Sequence, residues 1–190
     1  MGELILLRHG ETEWSRTGRH TGRTDVPLTS RGEEQAKALA PIIAARDVTR
    51  TLTSPAQRAR RTAELAGLTE GDVDDRLWEW DYGAYEGRTT PDIRRDRPGW
   101  YLWSDGVPEG ETAEQVGART DAVIERVRPY LAEGNVALVA HGHVLRVLTA
   151  RWLGLPPTDG RLFRLDTGTV SALGTEHDRP VIGSWNVPAR

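Results

Sequence analysis

The sequence predicts an α/β protein with a mainly parallel central sheet, and three observations predict it. Short apolar runs at 3–7 and 136–140 are too brief for helices and read as buried strands, and 50–53 reads as a further short strand. Capped, helix-patterned segments separate them. The two kinds of segment alternate through most of the 190 residues, the pattern of a layered α/β architecture rather than of an all-β or all-helical one.

The elements follow in order. Residues 3–7 form a first strand that runs into Arg8-His9-Gly10. Residues 29–45 predict a helix capped by Thr29 or Ser30, with Leu39, Ile42 and Ile43 on one face and a kink at Pro41. A strand at 50–53 leads to Ser54-Pro55, read as an N-cap followed by proline at the first helical position, and so to a helix over 56–66. Thr112 and Gln115 form a capping box for a long helix reaching about residue 131. The apolar strand at 136–140 ends in His141-Gly142-His143 and a helix to 153, and further strands are expected at 161–165, 170–174 and 181–185. The length suits one domain, 1–190, with no internal repeat or linker.

Composition narrows the function. With 25 Lys+Arg against 28 Asp+Glu the net charge is −3, which argues against a dedicated nucleic-acid binder. Lys37 is the sole lysine, so the cations are arginines, whose planar fork suits phosphate or carboxylate; a GC-rich genome would give the same bias. There is no cysteine, which removes disulfides, thiolate chemistry and cysteine-based metal sites. The N-terminal apolar run is far too short for a signal peptide, no run approaches a membrane span, and position 6 is Leu6 where a myristoylation signal needs Ser or Thr. The expected compartment is the cytoplasm.

In a mainly parallel sheet, ligands gather at the carboxyl ends of strands, where helix N-termini present unpaired amides. Here three such junctions carry Arg8 with His9, Arg58 just inside a helix, and His141 with His143. Two guanidinium forks can clamp a tetrahedral dianion, and a neutral imidazole among them can attack its phosphorus. Arg-His-Gly alone is weak, with roughly 0.07 chance occurrences expected at this composition; its place directly after the first strand strengthens it.

The run Arg8-His9-Gly10-Glu11-Thr12-Glu13-Trp14 resembles the signature of the histidine phosphatase superfamily, also called phosphoglycerate mutase-like. The resemblance continues through Thr21-Gly22, Asp25 to Thr29, Ser54-Pro55 with Arg58 and Thr62-Ala63, Glu79, Tyr82-Gly83, Glu86-Gly87, Gly110-Glu111-Thr112 and His141-Gly142, in family order, from Glu3 to about Leu173. It is nearest to bacterial acid phosphatases of broad specificity, and the Trp14-Ser15 and Thr21-Gly22 region is also similar to fungal sedoheptulose-bisphosphatases. No named motif of the family is recognised in the stretch after about residue 174.

The resemblance implies a three-layer α/β/α sandwich and a metal-independent phosphomonoester hydrolase acting on small phosphorylated metabolites such as sugar phosphates. It implies that His9 is phosphorylated, that Arg8, Arg58 and His141 hold the phosphoryl oxygens, and that Glu79 protonates the leaving oxygen and then activates water. A carboxylate beside a dianion should have a raised pKa. His9 should donate from its other ring nitrogen to a backbone carbonyl. Ser15, Thr21, Gly22, Tyr82, Gly142 and His143 are the expected substrate contacts, and the segment 78–110 a lid that sets substrate preference. No cofactor and no metal are implied. The expected partner is a small phosphomonoester, with no nucleic acid or membrane, and a homodimer is left open.

Several residues have plainer readings. Arg60 and Arg61 share a helix with Arg58, and Asp81 and Glu86 are rivals of Glu79. His20, in the loop 19–22, reads equally as a contact or as solvent-exposed, and His177 as merely exposed. The tryptophans at 78, 80, 100 and 103 read first as packing. Cofactor-dependent phosphoglycerate mutases carry cations where this chain has Trp80, Asp81 and Thr90, so a phosphatase is preferred to a mutase. Ser15 stands where the family often has Asn. His141-x-His143 could also serve a metal-dependent hydrolase, and the same constellation could belong to a non-catalytic phospho-ligand binder.

Overall fold

The computed structural model describes residues 2–68 and 71–189. Its centre is a six-stranded sheet in the order β3-β2-β4-β1-β5-β6. The strands are β1 (Leu4–Arg8), β2 (Val48–Thr53), β3 (Gly71–Val73), β4 (Asn135–Ala140), β5 (Thr169–Glu176) and β6 (Arg179–Pro188). β1 to β4 run parallel, while β5 and β6 add an antiparallel edge beside β1.

The near-continuous apolar sequence of β1 is explained by its central place. Leu4 and Leu6 face one layer and Ile5 and Leu7 the other, all fully buried, because successive side chains alternate across a strand. The Ile5 face packs on the junction of α2 (Ser30–Ala38) and α3 (Ala40–Ala44) and on α4 (Gln57–Leu65), through Leu39, Ile43, Ala59 and Ala63. The Leu6 face packs on α7 (Ala113–Val127) and α8 (Gly142–Trp152), through Val116, Val123 and Ile124, and Val144 and Leu148. This is the expected three-layer sandwich. Trp80, Tyr82, Trp100 and Trp103, from the segment 78–110, join this second layer as buried core.

Local chemistry sets the helix boundaries. Thr29 caps α2 by accepting from the Gly32 N–H, and Thr112 caps α7 in the expected capping box with Gln115. The expected helix over 29–45 is two helices meeting at Leu39, with Pro41 near the start of the second, where its missing N–H costs no bond. The helix after Thr112 stops at Val127; Pro129 lies beyond it, followed by a 3-10 turn, Tyr130–Ala132. Ser54 is not an N-cap: α4 starts at Gln57 with Ala56 in the cap position and no side-chain cap. The strand expected at 161–165 is absent: 161 and 162 close a 3-10 helix, Pro157–Leu162, and 163–165 have no regular secondary structure. The short helices α1 (Glu13–Thr17), α5 (Thr90–Asp96) and α6 (Leu102–Asp105) and the strand β3 were not anticipated.

Parallel register carries the site. Arg8 is level with Ala140, and Thr53 with Val139, so β1, β2 and β4 end together at one edge of the sheet. The next residues continue the ladder: the His9 N–H donates to the Ala140 carbonyl (3.0 Å) and the Ser54 N–H to the Val139 carbonyl (2.9 Å). His9, Ser54 and His141 therefore emerge side by side.

Candidate active site

A cleft of about 260 Å³ opens at this edge, lined by Arg8, His9, Ser15, Gly18, Arg19, His20, Thr21, Glu79, Tyr82, Thr90, Gly142, His143, Arg146 and Leu165. Its walls thus combine the ends of β1 and β4 with α1, the loop after it, and residues between 79 and 90.

His9 sits at its floor, 4% exposed. Its Nδ1 is 2.7 Å from the Gly10 carbonyl oxygen, which can only accept, so Nδ1 carries the proton and Nε2 keeps its lone pair towards the cleft. Burial, then the charges of Arg58 and Arg8, hold the imidazole well below its ordinary pKa, outweighing the opposite pull of the Gly10 carbonyl. His9 is therefore neutral, with the tautomer a nucleophile at Nε2 requires. The tight turn depends on glycine: a Cβ on Gly10 would lie 2.2 Å from the Gly32 carbonyl oxygen.

Arg58 and His141 lie directly behind His9 rather than on the cleft wall, both fully buried. The His9 and His141 rings meet edge to face with centroids 5.1 Å apart. Arg58 Nε donates to His141 Nδ1 (3.1 Å), and its Nη atoms donate to the carbonyls of Thr24 (2.9 Å), Gly22 (3.1 Å) and Thr21 (3.4 Å). A guanidinium only donates, so His141 Nδ1 is unprotonated and Nε2–H donates to Ser54 Oγ (2.7 Å). Burial and the Arg58 charge keep His141 well below its ordinary pKa.

Arg8 donates from Nη1 to the Leu165 carbonyl, while its buried Nε has no partner. Its guanidinium crosses the start of α8, where a Cβ on Gly142 would come within 3.2 Å of Cζ; the glycine of His141-Gly142 leaves it room. Burial lowers the pKa of Arg8 and Arg58, opposed most by Glu79, but an arginine stays charged in a protein. Every partner of Arg58 is uncharged, so the floor carries excess positive charge and an orphaned N–H, the preference of an anion site.

Glu79, 5% exposed, faces the same cleft. Oε1 accepts from the N–H groups of Trp80 (2.9 Å) and Val144 (2.8 Å), and Oε2 from that of His143 (2.9 Å). The carboxylate is thus seated on the amino end of α8, whose cap residue, His141, makes no side-chain cap bond. Tyr82 O–H lies 2.5 Å from His143 Nδ1, and burial raises the Tyr82 pKa and lowers that of His143. His143 and His141 engage different partners through their ring nitrogens, and among the described residues no group of three or more His, Asp or Glu is arranged to hold a metal ion.

The family model of the histidine phosphatase superfamily (branch 1) matches residues 4–188. The chain belongs to the histidine phosphatase superfamily. An acid phosphatase of Mycobacterium tuberculosis is 42% identical over 176 residues, 92% of this chain and 87% of that protein. The sedoheptulose 1,7-bisphosphatase of Saccharomyces cerevisiae is 38% identical over 183 residues, 80% of this chain and 67% of that one. The solved structure of the open reading frame Rv3214 from M. tuberculosis superposes with a TM-score of 0.95 at 39% identity, covering 100% of this chain and 99% of that one. This histidine phosphatase is accordingly a phosphoric monoester hydrolase.

Of the residues expected at the histidine phosphatase site, Arg8, His9, Ser15, Thr21, Glu79, Tyr82, Gly142 and His143 line the cleft. Gly22 acts through its backbone, receiving Arg58 at its carbonyl and giving its N–H to Glu86 (2.9 Å). Sequence reasoning placed Arg19 only as the start of the loop 19–22, and it missed Gly18, Arg146 and Leu165. Arg146 had a usable signal, lying three residues after His143 and so on the same helix face. His20 does face the cleft, with Nδ1 donating to the Arg88 carbonyl (2.8 Å).

Proposed function

We propose that this chain hydrolyses phosphomonoesters of small metabolites, sugar phosphates among them, without a metal ion and through a phosphohistidine at His9. His9 Nε2 attacks phosphorus, the bond to the ester oxygen breaks, and Glu79 gives that oxygen its proton. Water then attacks the phosphorus of phospho-His9 as Glu79 takes its proton, the Nε2–P bond breaks, and inorganic phosphate leaves with His9 neutral again. Arg8 offers its unpartnered Nε–H to a phosphoryl oxygen, and Arg58 and His141 complete the positive floor beneath it. Ser15, Thr21, Tyr82, Gly142 and His143 surround the remainder of the substrate, under a lid formed by 78–110 of a single domain.

The observation that carries this reading is the neutral His9, proton on Nδ1, flanked by two guanidinium groups with no carboxylate partner in contact. The names of the acid phosphatase and bisphosphatase relatives support the substrate class. Neither nucleic acid nor membrane enters this reaction, and no helix among the described residues is long and apolar enough to cross a membrane. The cytoplasm and, as an assembly, a homodimer are compatible with it.

Steady-state kinetics with EDTA on a panel of sugar phosphates and other phosphomonoesters, beside a primed 3-phosphoglycerate mutase assay, test the proposal. Phosphate release that survives EDTA and disappears in His9→Ala is expected. Loss of activity in EDTA, or mutase turnover exceeding hydrolysis, would overturn it.

A further inference from the structure

Glu79 lies in a segment without regular secondary structure, between the 3-10 turn Asp75–Leu77 and another at Gly83–Tyr85. Such a segment does not by itself hold a carboxylate to a fraction of an ångström, yet proton transfer demands that. The N–H groups of Trp80, His143 and Val144 seat the carboxylate itself, and the backbone that carries it is held from α7 and Glu111, outside the cleft.

Arg119 spends all five of its N–H donors there. Two go to the carboxylate of Glu111: Nε to Oε1 (2.7 Å) and Nη2 to Oε2 (2.9 Å). Three go to backbone carbonyls around the acid: Nη1 to Arg76 (2.6 Å) and Trp78 (2.6 Å), and Nη2 to Glu79 itself (3.1 Å). Glu111 grips the other side. Its Oε2 accepts from the Asp81 N–H (2.9 Å), its carbonyl from the Trp80 indole N–H (2.8 Å), and its own N–H donates to the Asp81 carbonyl (3.0 Å). Both side chains are mostly buried, at 14% and 18% exposure, so the pair is weakly screened. Burial works to raise the Glu111 pKa, but Arg119 and the Asp81 N–H prevail and hold it below its ordinary value.

A salt bridge placed for stability alone needs only its two partners. This one reaches the backbone or indole of residues 76, 78, 79, 80 and 81, while neither partner lines the catalytic cleft. We propose that Glu111 and Arg119 are positioning residues for Glu79, fixing the acid against the leaving-group oxygen; the proposal rests on the general-acid role assigned to Glu79 above.

Leaving groups provide the test. kcat/KM reports only formation of the phosphohistidine, and an alkyl leaving group needs the acid's proton whereas 2,4-dinitrophenolate does not. The quantity to follow is the kcat/KM ratio of glycerol 2-phosphate to 2,4-dinitrophenyl phosphate, with melting temperature measured alongside. Arg119→Lys keeps the charge but lacks the five-donor fork, and Glu111→Gln sets an amide against Arg119 or the Asp81 N–H. Each should lower the ratio about tenfold or more, as expected when a general acid worth 10²–10⁴ is displaced.

The control is Arg151→Lys. It weakens the Arg151–Asp121 pair (2.9 Å), which joins the same α7 to α8 outside the cleft, and should leave the ratio unchanged whatever it does to melting. Should Arg119→Lys not fold, Glu111→Gln and Trp80→Phe, each deleting fewer bonds, carry the test. If Glu79→Gln leaves the ratio unchanged, the acid assignment itself fails. If Glu79→Gln lowers it while folded clamp variants do not, the positioning role alone is wrong.

Discussion

Arg58 Nε donates to His141 Nδ1 across 3.1 Å with both side chains fully buried, and this bond fixes the proton on His141 at Nε2. His9 shows the opposite tautomer, with its proton on Nδ1. Two histidines in edge-to-face contact thus play different parts because one neighbour is a pure donor and the other a pure acceptor.

The first prediction concerns that bond. Arg58→Lys cannot serve His141 Nδ1 and the carbonyls of Gly22 and Thr24 together, so kcat should fall about 10²-fold, the cost of one well-placed electrostatic donor. Nitrogen-15 NMR should show His141 protonated at Nε2 in the unmodified protein and a tautomer mixture in the variant. A wild-type spectrum with His141 protonated at Nδ1 would refute the assignment.

The second is a pH dependence. His9, His141 and His143 are each held well below the ordinary histidine value, by burial first and by arginine charges after it. The unfolded chain takes up their protons near pH 6.5 while the native protein does not, so stability falls as pH drops below about 6.5. Three such sites give a slope of up to about 4 kcal/mol per pH unit. Urea titrations between pH 7.5 and 5 measure it; a flat profile would contradict the buried neutral histidines. By the same shift, the acid limb of kcat/KM should show no His9 titration near 6.5.

How much of this was legible beforehand differs by element. β1 and β4 could be read because a strand buried on both faces must be apolar throughout, and that pattern fixes the sheet edge where His9 and His141 emerge. Ser54-Pro55 misled because Ser54 has a tertiary partner: its hydroxyl meets His141 Nε2, a contact 87 residues away that no local pattern shows. The short helices α1 and α5 did carry signals, since Thr12 with Ser15 and Thr89 with Asp92 both form capping boxes. Arg119 was illegible because its meaning depends on carbonyls 40 or more residues away.

A third prediction is structural. Asp74 accepts from Arg76 and Arg126, each at 2.7 Å, which overcomes the effect of burial and pulls its pKa down to about 2. A depressed carboxylate stabilises the fold above its ordinary value of 3.8, and the benefit disappears as pH falls towards 2. Asp74→Asn should cost about 2 kcal/mol at pH 7. Denaturation at pH 7 and pH 3 should show the difference shrinking in acid; an equal cost at both would rule out an ionic origin.

The fourth separates binding from stability. In Gly142→Ala the new methyl sits 3.2 Å from Arg8 Cζ and must push the guanidinium aside, yet alanine suits a helix better than glycine. Affinity for inorganic phosphate as an inhibitor should fall about tenfold, a modest misplacement of a clamp, with no loss of melting temperature. Unchanged phosphate affinity would show that Arg8 does not hold the anion.

Direct detection of the covalent intermediate bears most on the mechanism. The enzyme is mixed rapidly with a phosphorus-32-labelled phosphomonoester, quenched in alkali, where phosphohistidine survives, and digested for mass spectrometry. The account predicts one phosphoryl group on the peptide carrying His9, absent in His9→Ala and persisting longer in Glu79→Gln, where water lacks its base. A catalytically active enzyme that never labels, or labels on His141, would contradict it.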